Sequence, residues 1–101
     1  MSILITMKVP GDTATFEQAL ATRSAEFEGF AAKAQAAGCM HHSFGMGDGY
    51  VLVVDEWDTA EHFETFFTDA ALQAFIASAG ADTSAPPEMT IAQSIDSPDQ
   101  F

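Results

Sequence analysis

Apolar residues alternate in some stretches of the chain and recur every three to four positions in others, and the changes between these periods mark its elements. Residues 2–9 (SILITMKV) are apolar and rich in β-branched side chains, and they stop at Pro10-Gly11-Asp12, which predicts a strand and then a turn. Asp12 or Thr13 can cap a helix predicted to run unbroken to about Ala37 and to end at Gly38. At about 100° per residue, Phe16, Leu20, Phe27, Phe30, Ala31 and Ala34 share one side of that helix. Glu17, Glu26, Glu28, Lys33 and Gln35 fall mostly elsewhere.

Residues 39–46 read as a second strand with Met40, His42, Phe44 and Met46 on one face. Gly47-Asp48-Gly49 offers the positive-φ residues of a short hairpin loop, and residues 50–57 (YVLVVDEW) return as a third strand. Asp58-Thr59-Ala60-Glu61 has the spacing of a capping box, followed by an apolar stripe of Phe63, Phe66 and Phe67. Asp69 can recap the chain through Leu72, Phe75 and Ile76 until Gly80. A small-residue, proline-ended linker at 81–87 leads to a last strand at 88–95, with Met89, Ile91 and Ile95 alternating against Thr90 and Ser94. Residues 97–101 form a polar tail, and no internal repeat interrupts a single domain over 1–101.

The order β-α-β-β-α-β is the split β-α-β pattern of a ferredoxin-like α+β fold, with helices on one face of a four-stranded antiparallel sheet. The third strand is apolar on both faces, with Tyr50, Leu52 and Val54 opposed to Val51 and Val53. The first repeats this, Leu4 opposing Ile3, Ile5 and Met7. Two layers alone would leave the second face wet. Its simplest cover is the same face of a second copy, so a homodimer is predicted.

Composition narrows the partners. Apolar residues make up 48% of the chain, nine of them Phe, which is rich for 101 residues and again points to a subunit interface. Fifteen acids against three bases give a net charge of −12, which repels phosphate backbones and anionic lipid. Neither a nucleic acid nor a membrane is therefore expected as a partner. Cys39 is the only cysteine, which excludes an internal disulfide and fits a reducing compartment. No leader-like segment and no apolar run of about 18 residues is found, so a soluble cytoplasmic protein is expected.

The element order, the Asp55-Glu56-Trp57 ending of the third strand, the helix start Asp58-Thr59-Ala60-Glu61 and the approach to the last strand at 80–87 resemble the antibiotic biosynthesis monooxygenase (ABM) domain family. The resemblance implies a dimeric α+β barrel. It also implies, as activities to consider, cofactor-independent oxygenation of polycyclic aromatic substrates or haem degradation. Members of the family often carry a His where this chain has Phe66, and the haem degraders' characteristic residues fall near Phe66, Ile76 and Thr6 without matching. Haem degradation is therefore not expected, and no cofactor is implied. Trp57 matches in type the oxygenases' pocket tryptophan.

Arg23 and His62 are the candidate catalytic residues. Arg23 is the only arginine, and the helical projection sets it among Phe16, Leu20, Phe27 and Phe30. Either its stem covers apolar surface while the guanidinium pairs with an acid such as Asp55 or Glu56, or it clamps a carboxylate or phenolate in a pocket. His62 borders the apolar stripe of its helix and could serve as a base or hydrogen-bond a hydroxyl. His41 and His42, as strand neighbours, face opposite ways, and no His or Cys spacing supports a metal site. Trp57, Phe63, Phe66, Phe27 and Asp55 are the candidate substrate-binding residues, lining an apolar pocket between sheet and helices or simply filling the core. Two functions follow. One is a cofactor-independent monooxygenase acting on an aromatic or polyketide-like small molecule; the other is a non-catalytic binding or assembly module with a filled aromatic core. An open cavity of roughly 300 Å³ or more, with Arg23 or His62 pointing in, favours the first. A solid aromatic core, with Arg23 bonded to an acid at the surface, rules the first out.

Overall fold

A computed structural model describes all 101 residues. Strands β1 (Ile3–Pro10), β2 (Cys39–Gly47), β3 (Tyr50–Trp57) and β4 (Glu88–Gln93) form one antiparallel sheet in the order β2-β3-β1-β4. Helices α1 (Thr13–Thr22) and α2 (Ser24–Ala37) join β1 to β2, and α3 (Ala60–Phe67) and α4 (Ala70–Ser78) join β3 towards β4. This is the ferredoxin-like α+β arrangement.

The helix expected over 13–37 is in fact two. Arg23 leaves helical geometry (φ −126°, ψ 33°), closing α1 with its N–H on the Ala19 carbonyl at 2.7 Å. Its own carbonyl accepts from Glu26 and Phe27 to begin α2. Thr22 and Ser24, which compete with the backbone for hydrogen bonds, flank the break, and the Thr22 hydroxyl bonds back to the Gln18 carbonyl at 2.8 Å. The break resets the helical phase, so a projection carried from Phe16 through to Phe30 puts Arg23 on the wrong side.

Asp12 caps α1, its carboxylate accepting from the N–H groups of Ala14 and Thr15, and Asp69 caps α4 through Leu72. Each such cap is worth about 1 kcal/mol. The start of α3 lies one residue beyond the expected Asp58. Thr59 is the cap, accepting from the His62 N–H at 3.1 Å. Gly38 ends α2 at φ 124°, and a Cβ there would collide with the Asp58 side chain. The Asp58 N–H is bonded to the Gly38 carbonyl, so the end of α2 is tied to the start of α3.

The β2–β3 hairpin turns on Asp48-Gly49, with Gly49 alone at positive φ (79°) and Gly47 already paired with Tyr50. A register shift between Cys39 and His41 makes Met40 the extra residue of a bulge. Cys39, rather than Met40, therefore joins His42 and Phe44 on the helix-covered face. Strand β4 ends at Gln93, short of the expected Ile95; the Ser94 N–H still bonds to the Ser2 carbonyl, but Ile95 stands 83% exposed.

Two apolar clusters pack between helices and sheet. One holds Ile5, Ala34, Cys39, Trp57 and Phe63, and the other Phe16, Ala19 and Ala79. Burying a side chain the size of Ile5 or Phe63 contributes about 2–3 kcal/mol. Only 13 of 101 residues are buried, however, so much apolar surface is left over. Some of it lies on the uncovered sheet face, where Leu4 and Val54 are exposed and Leu52 and Tyr50 half-exposed. No helix is long and apolar enough to cross a membrane.

Candidate functional site

The space between the two clusters is not filled. A cavity of about 150 Å³ lies between the inner sheet face and all four helices, with both clusters contributing to its wall. Of its 23 lining residues 18 are hydrophobic, and the other five are Gly11, Gly80, Asp12, His42 and Asp55. Asp12 is committed to the α1 cap, whose N–H bonds hold its carboxyl below the usual carboxylate range. Chemistry within the cavity is thus confined to His42 and Asp55.

These two residues face each other across the β2–β3 ladder. Asp55 is 8% exposed, and its Oδ1 lies 2.6 Å from His42 Nδ1. Its Oδ2 accepts from the indole N–H of Trp57 at 3.1 Å. Trp57 is fully buried, two residues along the same strand and hence on the same face. A carboxylate only accepts hydrogen bonds, so Nδ1 donates, and in the neutral imidazole Nε2 keeps its lone pair. No protein group hydrogen-bonds to Nε2. The ring is held from the side by Phe44, edge to face at 4.6 Å between centroids.

Eight phenylalanines stand in the rest of the wall, among aliphatic residues. Phe44, Phe16 and Phe27 meet edge to face with centroids 5.1–6.1 Å apart, and Phe75 meets Phe27 at 4.8 Å and Phe30 at 5.0 Å. Phe63, Phe66 and Phe67 close the far end. Helices α2, α3 and α4 supply no titratable group to the cavity.

Arg23 does not line the cavity. The helix break turns its guanidinium outward, where it forks onto Glu26 at 2.8 and 2.9 Å and donates to the Ser78 hydroxyl at 2.7 Å. It also lies 4.6 Å from the centre of the Phe75 ring, so it braces the wall without being part of it. The acid it meets is neither Asp55 nor Glu56; Asp55 lies on the helix-covered face but is taken by His42. His62 is likewise outside, 55% exposed, its Nδ1 2.9 Å from Asp58 Oδ1. That contact is the first cause of the lowered Asp58 pKa, and it follows from Thr59, not Asp58, being the cap.

Among the expected substrate-binding residues, Phe27, Phe63, Phe66 and Asp55 stand in the cavity wall. Trp57 stands behind it, hydrogen-bonded to Asp55 and packed against Phe63 and Phe66 of the wall. Sequence reasoning missed His42 as the partner of Asp55. The signal was present: a two-residue turn at Asp48-Gly49 pairs Gly47 with Tyr50, and counting outward from it pairs His42 with Asp55.

Cys39 lies on the same face, its thiol pushed up to about 11 by burial, with the Asp55 charge adding to the effect. It is a poor nucleophile. No group of three or more His, Cys, Asp or Glu side chains is placed to hold a metal ion.

Comparison with known proteins adds the fold. No protein-family model matches the sequence, and no curated protein matches it. Solved structures do. A candidate antibiotic biosynthesis monooxygenase from Caulobacter crescentus superposes with a TM-score of 0.65 at 15% identity, covering 94% of this chain and 91% of that one. SnoaB, a cofactor-independent oxygenase from Streptomyces nogalater, gives 0.60 at 11% identity over 98% of each chain. Rv0793 from Mycobacterium tuberculosis gives 0.62 at 10% identity, covering 98% of this chain and all of that one. At such identities the likeness is one of fold: the chain shares the ferredoxin-like α+β fold of these structures.

Proposed function

We propose that the chain is a cofactor-independent monooxygenase whose cavity takes a small hydroxyaromatic molecule. The observation that carries this is the cavity itself, apolar except where the oriented imidazole of His42, its partner Asp55 and the capping Asp12 stand in the wall. The shared fold with SnoaB supports the reaction class. In such a reaction an electron-rich hydroxyarene supplies all four electrons to oxygen. One oxygen atom enters the ring to give a quinone, and the other leaves as water with the hydrogens from the ring carbon and the hydroxyl.

The cavity volume, about 150 Å³, suits a single aromatic ring, since an apolar cavity of that size holds benzene. It is smaller than the roughly 300 Å³ of an ordinary ligand pocket, so a polycyclic, polyketide-like substrate needs the helices to move apart. The same small volume, with Arg23 bonded to Glu26 at the surface and His62 also outside the cavity, favours a second reading, a non-catalytic binding module. Oxygen uptake with a panel of single-ring phenols and hydroquinones separates the two. The enzyme consumes one O₂ per ring oxidised and puts one atom of labelled oxygen into the product. Binding without uptake leaves the module.

The assembly proposed is a homodimer closing two sheets face to face into an α+β barrel. Leu4, Leu52, Val54 and Tyr50 support it, because they line an apolar strip on the face no helix covers. The single, buried, unpaired Cys39 suits a reducing cytoplasm.

A further inference from the structure

We propose that His42, oriented by Asp55, takes the hydroxyl proton of a single-ring hydroxyaromatic bound in the cavity, so that the ligand enters neutral and is held as its anion. This rests on the reading of the cavity as a hydroxyaromatic site, but not on any reaction with oxygen. The motivating geometry is the chain Trp57–Asp55–His42, in which each member fixes the next. The buried indole N–H occupies one oxygen of Asp55, and Nδ1 of His42 occupies the other. The remaining imidazole nitrogen, Nε2, has no protein partner; His42 stands in the cavity wall with 37% of its side chain exposed, and that wall holds no other uncommitted polar side chain.

The step balances within these groups. The ligand O–H bond breaks, an N–H bond forms at Nε2, and the ligand oxygen keeps the electron pair. The imidazolium then sits between two anions, the phenolate and Asp55, and Asp55 stabilises the cation without taking the proton. An oriented carboxylate of this kind makes an imidazole a better base and holds its tautomer.

The surroundings decide which hydroxyaromatics fit. A surface of net charge −12 repels an anion from solution, so the ligand approaches in its neutral form. The charged or titratable groups around His42 are few: Asp55 across the ladder on β3, and on β2 itself Cys39, which keeps its proton to about pH 11. Asp12 is the one other acid in the wall, already held by the α1 cap. Nothing but His42 can compensate a ligand anion inside. A non-ionisable analogue with the same ring fills the cavity without using that group.

Absorbance of 4-nitrophenol bound under anaerobic conditions tests the inference, because its anion absorbs in the visible and its neutral form does not. With the wild-type protein, the bound phenol is expected to ionise at least about one pH unit below the free one, a tenfold preference for the anion. In His42→Gln the dye should still bind but ionise above its free value, as an apolar cavity disfavours a lone anion. Asp55→Asn should lose part of the shift. Should either variant fail to fold, the wild-type protein alone still decides. 4-Nitroanisole, which has no proton to give, must bind without pH dependence while 4-nitrophenol binds with it. A bound wild-type spectrum that ionises at or above the free value overturns the proposal, and so does a downward shift that survives in folded His42→Gln. Because oxygen is absent, failure of the oxygenase reading leaves this result untouched.

Discussion

Asp55 Oδ1 lies 2.6 Å from His42 Nδ1, and this contact joins the buried core to a half-exposed imidazole in the cavity wall. Trp57 completes the link from behind. Its indole N–H is the second hydrogen bond to a carboxylate that is otherwise enclosed. Trp57→Phe removes that donor and part of a fully buried side chain. A loss of about 2–4 kcal/mol in unfolding free energy is expected by urea denaturation, from an unsatisfied acceptor and a cavity together.

Filling the cavity separates binding from stability. Val53→Phe adds bulk from the sheet floor into open space. Its expected effect on stability is within about 1.5 kcal/mol, as for a substitution that keeps the core filled. Thermal stabilisation by phenol, expected in the wild type, should vanish. A Val53→Phe protein that still responds to phenol places the ligand elsewhere.

Arg23 lies outside the cavity on Glu26, Ser78 and Phe75. Arg23→Gln is expected to lower the melting temperature slightly, since an exposed ion pair contributes little, and to leave phenol affinity within about twofold. A large loss of affinity with unchanged melting would make Arg23 a ligand clamp after all.

The element order was legible in the hydrophobic pattern because long periodic runs and Gly, Pro and Asp punctuation mark each junction. The site was legible only in part. Phe27, Phe63, Phe66 and Asp55 lie on faces that the period alone identifies. Arg23 was misplaced because one non-helical residue resets the phase of everything after it, and no Gly or Pro marks that break. His62 was misplaced because its ring turns outward to Asp58, a carboxylate left free by Thr59 taking the capping role. His42 needed the hairpin register, a relation between two strands rather than a property of either.

Cys39 gives a pH signature. Its thiol is raised to about 11 in the folded protein, above its ordinary value of 9.0. The unfolded chain loses that proton first as pH rises. Stability contributed by Cys39 is therefore complete below about pH 9 and is lost between about pH 9 and 11. Denaturation curves from pH 8 to 11 should fall more steeply for the wild type than for Cys39→Ala, and parallel slopes would mean the thiol is not buried as described.

The apolar strip on the open sheet face carries the assembly. Val54→Asp places a charge at its centre. Light scattering should give twice the 10.7 kDa chain mass for the wild type and the single mass for the variant. A wild-type monomer at micromolar concentration would remove the reason for that strip.

The most direct measurement is an NMR titration of the labelled protein with phenol. The open cavity predicts shifts concentrated at Met7, Phe44, Val53 and Ala79, on the inner sheet face and the helix above it. Leu4, Thr6 and Val54, on the other side of the same strands, should be still. Shifts confined to that outer face, or none at the solubility limit of phenol, would contradict a ligand site between sheet and helices.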